Sequence, residues 1–201
     1  WSSYYMSQLY GSLPWSFCQG NHDYDRNCDN TDARYSTYYN KYFPYALYSQ
    51  QSAFGGAMEG TSMSNTYYRY TIGDVKYLVI NLEFGPRINT LRWAGRLCEQ
   101  FADHRVIINT HGYMEADGSL LVNGDRFAGN NYSWTAATEA TSADVMYNEL
   151  VSQYSNIFLV VCGHITAEDI VMRSDTGVHG NKITSLLVDF QTAEYLNSGA
   201  G

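Results

Sequence analysis

The sequence predicts an α/β fold, and three observations carry that expectation. Short apolar runs of strand length occur at 75–82, 105–109 and 157–162. Segments with helical spacing, 88–101 and 142–154, separate them, and strands alternating with helices mark α/β architecture. Paired strand candidates with turn signals occur at both ends of this array, so the sheets are expected to be mixed rather than wholly parallel.

Residues 1–9 place apolar side chains at 1, 5, 6 and 9, a helical spacing that Gly11 and Pro14 terminate. A short strand is expected at 15–18, running into Gly20-Asn21-His22-Asp23. Residues 24–34 are polar and read as loop; 35–43 read as a short helix ended by Pro44; Gly55, Gly56 and Gly60 mark another loop. The Tyr- and Thr-rich run 66–72, the turn signal Gly73-Asp74 and the run 75–82 form a hairpin. Gly85-Pro86 breaks it, and Ile88, Leu91, Ala94, Leu97 and Phe101 define one helix face. A long loop spans 113–141, Ser142 is a suitable N-cap for the next helix, and two strands at 168–173 and 182–190 follow the buried strand 157–162. No linker divides the chain, so one domain over 1–201 is expected.

Composition narrows the function classes. With 20 acidic against 12 basic residues the net charge is −8, which repels phosphate backbones and disfavours general nucleic-acid binding. No run approaches the ~18 apolar residues of a membrane span. Nineteen Tyr and 17 Gly with few basic residues fit a secreted, periplasmic or cell-surface protein. Four Cys are too few for a disulfide scaffold; Cys18 and Cys28 flank a short loop, and a disulfide and two free thiols are both open.

Three polar clusters occupy equivalent places. Asn21-His22-Asp23, His111 and His164 each follow a predicted strand, and each adjoins a glycine (Gly20, Gly112, Gly163). Open α/β sheets bind ligands beyond the carboxyl ends of their strands, so these residues are expected along one rim, where imidazoles and an amide oxygen can converge on a metal. His104 and His179 lack this context, and His179 is expected at the far end of the strands.

Gly20-Asn21-His22-Asp23, Thr110-His111-Gly112 and Gly163-His164, in this order and spacing, resemble the metal-binding blocks of the calcineurin-like metallophosphoesterases. The likeness covers residues 1 to 191. It implies a sandwich of mixed β-sheets flanked by helices. It further implies a phosphomonoesterase or phosphodiesterase with two transition-metal ions (Mn, Fe or Zn) and a metal-activated hydroxide. Carried over, Asn21, His111 and His164 would be metal ligands, His22 the transition-state stabiliser or proton donor, and Asp23 the residue that orients His22.

The resemblance is incomplete. The family's opening DxH and GDxxD blocks have no counterpart in residues 1–19, and Thr166 stands where the second His of the GHxH block is expected. The start at Trp1 suggests a partial chain lacking its amino-terminal strand. Alternatives are a non-catalytic binding or structural relative and a mononuclear hydrolase using Asn21, His111 and His164 alone.

In the 113–141 loop, Tyr113, Asp117, Asn123, Asp125, Asn131, Tyr132 and Trp134 are expected to shape a substrate mouth. Arg126, its one basic residue, is the candidate phosphate contact, with a surface ion pair as the alternative. Asp189 and Gln191 are expected near the rim, and Asp25, Asp29 and Asp32 in a solvated loop.

Overall fold

The structure, a computed structural model, describes residues 2–25, 34–132, 135 and 139–188. Cys28, Asp29, Asp32, Trp134, Asp189 and Gln191 lie outside the described residues, so the expectations placed on them do too.

Among the described residues, seven strands form one mixed sheet: β1 (Phe54–Ala57), β2 (Thr66–Ile72), β3 (Val75–Asn81), β4 (Arg105–Gly112), β5 (Ile157–Gly163), β6 (Val171–Thr176) and β7 (Lys182–Leu187). Their order is β1-β2-β3-β4-β5-β7-β6. Strands β3, β4, β5 and β7 are mutually parallel, whereas β1 and β2 at one edge and β6 at the other pair antiparallel. The predicted α/β class with a mixed sheet is therefore present. Helices are α1 (Ser2–Ser7), α2 (Thr37–Tyr42), α3 (Tyr45–Tyr48), α4 (Ile88–Gln100) and α5 (Ala143–Met146), the last continued by a π-helical turn, Tyr147–Val151. Among the described residues no helix is long and apolar enough to cross a membrane.

Alternation within β4 sets up the two faces of the sheet. Val106, Ile108 and Thr110 are buried, whereas Ile107, Asn109 and His111 are half-buried. On the first face α4 inserts Leu91, Ala94, Leu97 and Cys98 against Leu78, Ile80 and Ile108, and the π-helical turn adds Leu150 and Val151. A second, aromatic core of Phe17, Tyr39, Phe43, Tyr48 and Met63 packs against Phe54 of β1. Phe17 lies 4.7 Å from the Phe43 ring and 5.3 Å from that of Tyr48, which anchors the chain leading into Gly20.

Three expectations are corrected. Residues 15–18 are extended but join no ladder, because the Trp15 N–H donates to the Gln51 side chain and the Ser16 hydroxyl to Asn81. The Gly55-Gly56 loop is instead edge strand β1. Any Cβ at Gly55 would collide with the Tyr67 ring across the ladder, so glycine serves pairing there rather than turning. The single helix at 142–154 is shorter and changes to π geometry at Tyr147.

Candidate metal centre

The predicted convergence occurs. His111 is the penultimate residue of β4, His164 follows β5, and Asn21 lies in a 3-10 turn, Asn21–Asp23, that the aromatic core delivers to the same rim. His111 Nε2 is 3.0 Å from Asn21 Oδ1, and the His111 and His164 ring centroids are 4.9 Å apart. These residues line an open cleft of about 820 Å³, together with His22, Asn109 and Thr166. His179 sits in the β6–β7 turn at the opposite end of the parallel strands, with its Nε2 donating to the Gln153 carbonyl.

Glycine permits this approach. A Cβ on Gly20 would stand 3.2 Å from His111 Nε2, and one on Gly112 would stand 2.9 Å from the Phe84 ring. His164 itself has φ +76, the left-handed region that a non-glycine residue adopts at a cost of roughly 1–2 kcal/mol. Such strain persists where the surroundings hold it. His164 Nε2 is 3.1 Å from the Phe127 carbonyl and 3.2 Å from the Tyr132 hydroxyl, and the ring packs 5.0 Å from Phe84. A carbonyl oxygen only accepts, so Nε2 carries the proton and Nδ1 keeps its lone pair.

Phe84, fully buried, lies beneath both imidazoles, with ring centroids 5.8 Å from His111 and 5.0 Å from His164. Its turn is fixed from behind. Arg34 donates to the Phe84 and Gly85 carbonyls and pairs with buried Glu83 at 3.0 Å. Glu83 also receives Arg87 Nε and the Thr90 hydroxyl, both at 2.8 Å. Gly85 (φ +56) and Gly129 meet backbone to backbone, where a Cβ on Gly129 would stand 2.5 Å from Gly85 Cα. This crossing ties the long loop to the Phe84 turn.

Burial, then the neighbouring His164 and His22, push the His111 pKa down to about 3. Burial also lowers His164. Both rings are therefore neutral near pH 7, the state in which imidazole binds metal. Burial raises the Cys18 thiol to about 12, and the Asp23 charge adds to that, so this cleft residue is no thiolate.

The structure repositions several predicted residues. Tyr113 is fully buried in the main core and cannot meet a substrate; β4 ends at Gly112, and Gly112 and Tyr113 are both buried, so the alternation that would place Tyr113 on the His111 face stops there. The Asp23 carboxylate accepts from the Gly20 N–H at 2.8 Å and closes the turn. Arg126 is exposed beside the cleft rather than lining it, with its guanidinium 5.0 Å from the Phe127 ring centroid. Asp117 and Asp125 shape turns by accepting from Ser119 and Val122. Tyr132 does line the cleft, as expected, and His22 is exposed there.

Sequence reasoning missed Phe84, Phe127 and Asn109. Glu83-Phe84-Gly85 follows strand β3 as the three histidine clusters follow theirs, and that position was the available signal. Asn109 occupies the strand face shared with His111 and donates to Asn81 Oδ1 at 2.8 Å.

The donor set fits one transition-metal ion. His111 Nε2–H donates to Asn21 Oδ1 at 3.0 Å; with that proton moved to Nδ1, the Nε2 lone pair and the amide oxygen would both be free to bind a metal ion. Among the described residues no carboxylate lines the cleft, and no three His, Cys, Asp or Glu side chains gather as a metal site. The described residues thus supply one set of neutral donors, Asn21, His111 and His164. No protein-family model and no curated protein matches the chain.

Proposed function

We propose that this chain is a metal-dependent phosphoric ester hydrolase of the calcineurin-like metallophosphoesterase type. Its sheet-and-helix architecture is read as that family's sandwich, and its cleft takes a phosphomonoester or phosphodiester. The observation that carries the proposal is the meeting of Asn21, His111 and His164, from three distant stretches of sequence, at the carboxyl ends of parallel strands. Asn21, His111 and His164 hold the ion, of Mn, Fe or Zn type. When bound, such an ion supplies Lewis acidity at the phosphoryl oxygens.

The protein's own groups do the rest. His22, exposed in the cleft, donates a proton to the departing ester oxygen. Phe84 packs beneath the imidazoles and limits water there, while Tyr132 and the Phe127 carbonyl fix the His164 ring. The tyrosine-rich, lysine-poor composition assigns this activity to a secreted, periplasmic or surface protein. The test is hydrolysis of p-nitrophenyl phosphate and bis(p-nitrophenyl) phosphate with added manganese or zinc. Metal-dependent turnover that falls about 100-fold or more in His22→Ala is expected. A lack of turnover with either ester contradicts the proposal.

A second reading, a metal-binding domain without hydrolase activity, is favoured by one observation. The absence of a carboxylate among the described cleft residues leaves the charge of the ion unneutralised.

A further inference from the structure

Beside the cleft lies a second pocket of about 270 Å³, and His22 is the one described side chain that lines both. Helix α2 builds its rim. Tyr38 and Tyr42, one helical turn apart, are 63% and 55% exposed, while Tyr39, Phe43 and Tyr24 form a buried floor. The Tyr39 hydroxyl is buried there without a hydrogen-bond partner among the described residues. Asp23 and Asp25 complete the wall. The Asp25 carboxylate is held by the Thr37 and Tyr38 N–H groups at 2.6 and 3.0 Å.

The chemistry of this lining is selective. Aromatic rings beside carboxylates attract an organic cation, since ring faces and carboxylates both offer negative potential. Lys41 Nζ already lies 5.6 Å from the Tyr42 ring centroid. A phosphate or other anion would face Asp23 and Asp25, and a neutral apolar group would leave their charges unmatched. A bare inorganic cation gains nothing from the apolar floor. The volume lies below the roughly 300–1,000 Å³ of drug-sized sites, so it suits a small head group.

We propose that this pocket binds the quaternary-ammonium end of a choline-like alcohol. On the hydrolase reading, that alcohol is the leaving group of the phosphoester, with His22 standing between phosphate and ammonium.

Binding is read directly by NMR titration of the full chain with choline and with 3,3-dimethylbutan-1-ol, its neutral carbon counterpart. Choline should bind at least 10-fold more tightly. Tyr42→Ala and Tyr38→Ala, both at exposed rings, should each reduce that preference at least 5-fold with an unchanged circular dichroism spectrum. Equal affinity for the two probes, or a preference that survives both substitutions together, overturns the proposal. Phosphocholine should displace choline, and its failure to do so also overturns the proposal. Displacement by phosphatidylcholine vesicles as well assigns a lipid head group; displacement by phosphocholine alone assigns a soluble ester. These titrations need neither metal nor turnover. Choline selectivity without nitrophenyl ester hydrolysis therefore refutes the hydrolase alone, and hydrolysis without choline selectivity refutes this pocket alone.

Discussion

Neutralising Glu83 should unfasten the platform beneath the two imidazoles. Its side chain is 3% exposed and receives Arg34 at 3.0 Å, Arg87 Nε at 2.8 Å and the Thr90 hydroxyl at 2.8 Å. In Glu83→Gln one carboxylate oxygen becomes an NH2 group that cannot accept, so at least one guanidinium loses its charged partner. Arg87 retains Glu59 at 2.6 Å, whereas Arg34, 11% exposed, loses its charged partner Glu83 and keeps the Phe84 and Gly85 carbonyls and the Tyr24 side chain. Breaking a buried pair in this way costs about 3–5 kcal/mol. At roughly 2–4 °C per kcal/mol for a chain of this size, Tm should fall by about 6–20 °C. Urea denaturation followed by circular dichroism measures the loss. The double variant Glu83→Gln/Arg34→Met removes the stranded charge and should be about 2 kcal/mol less destabilised than the sum of its singles. A Glu83→Gln loss under 1 kcal/mol, or strict additivity, would refute the argument.

Two further predictions concern the same rim. Because His111 has its folded pKa lowered to about 3, the unfolded chain binds more protons below the ordinary value near 6.5. Stability without added metal is therefore full above pH 6.5. It falls towards pH 3 by up to about 1.4 kcal/mol per unit from this group, and His111→Gln should flatten the slope of Tm against pH; an unchanged slope contradicts the burial argument. Gly129→Ala drives a Cβ to 2.5 Å from Gly85 Cα, backbone against backbone, and should cost about 2–3 kcal/mol in urea denaturation. A neutral outcome there means the two loops are not held together by that crossing.

Much of the fold was legible because its signals are local. Alternation in 105–112 and the helical face Leu91, Ala94, Leu97 each require only a few neighbouring residues, and strand-to-strand adjacency follows from the α/β pattern. The rim position of Asn21, His111 and His164 followed from strand ends next to glycines. What stayed hidden depends on tertiary contact. Gly55 reads as a loop residue until the Tyr67 ring is seen across the ladder. Trp15–Cys18 has strand composition, yet its polar groups are taken by the side chains of Gln51 and Asn81. Tyr113, two residues beyond His111, would share its face if β4 continued, but the strand ends at Gly112 and the chain turns into the core. Asp23 beside His22 invites an imidazole partner, and nothing local in the sequence signals that its carboxylate also closes a three-residue turn on the Gly20 N–H.

The most direct test of the account is metal stoichiometry on the purified chain after incubation with excess manganese or zinc and desalting. The wild-type chain should retain one ion, and His111→Ala and His164→Ala should each retain none while keeping the wild-type circular dichroism spectrum. No bound ion in the wild type, or retention in either variant equal to that of the wild type, would contradict the assignment of Asn21, His111 and His164 as a metal centre.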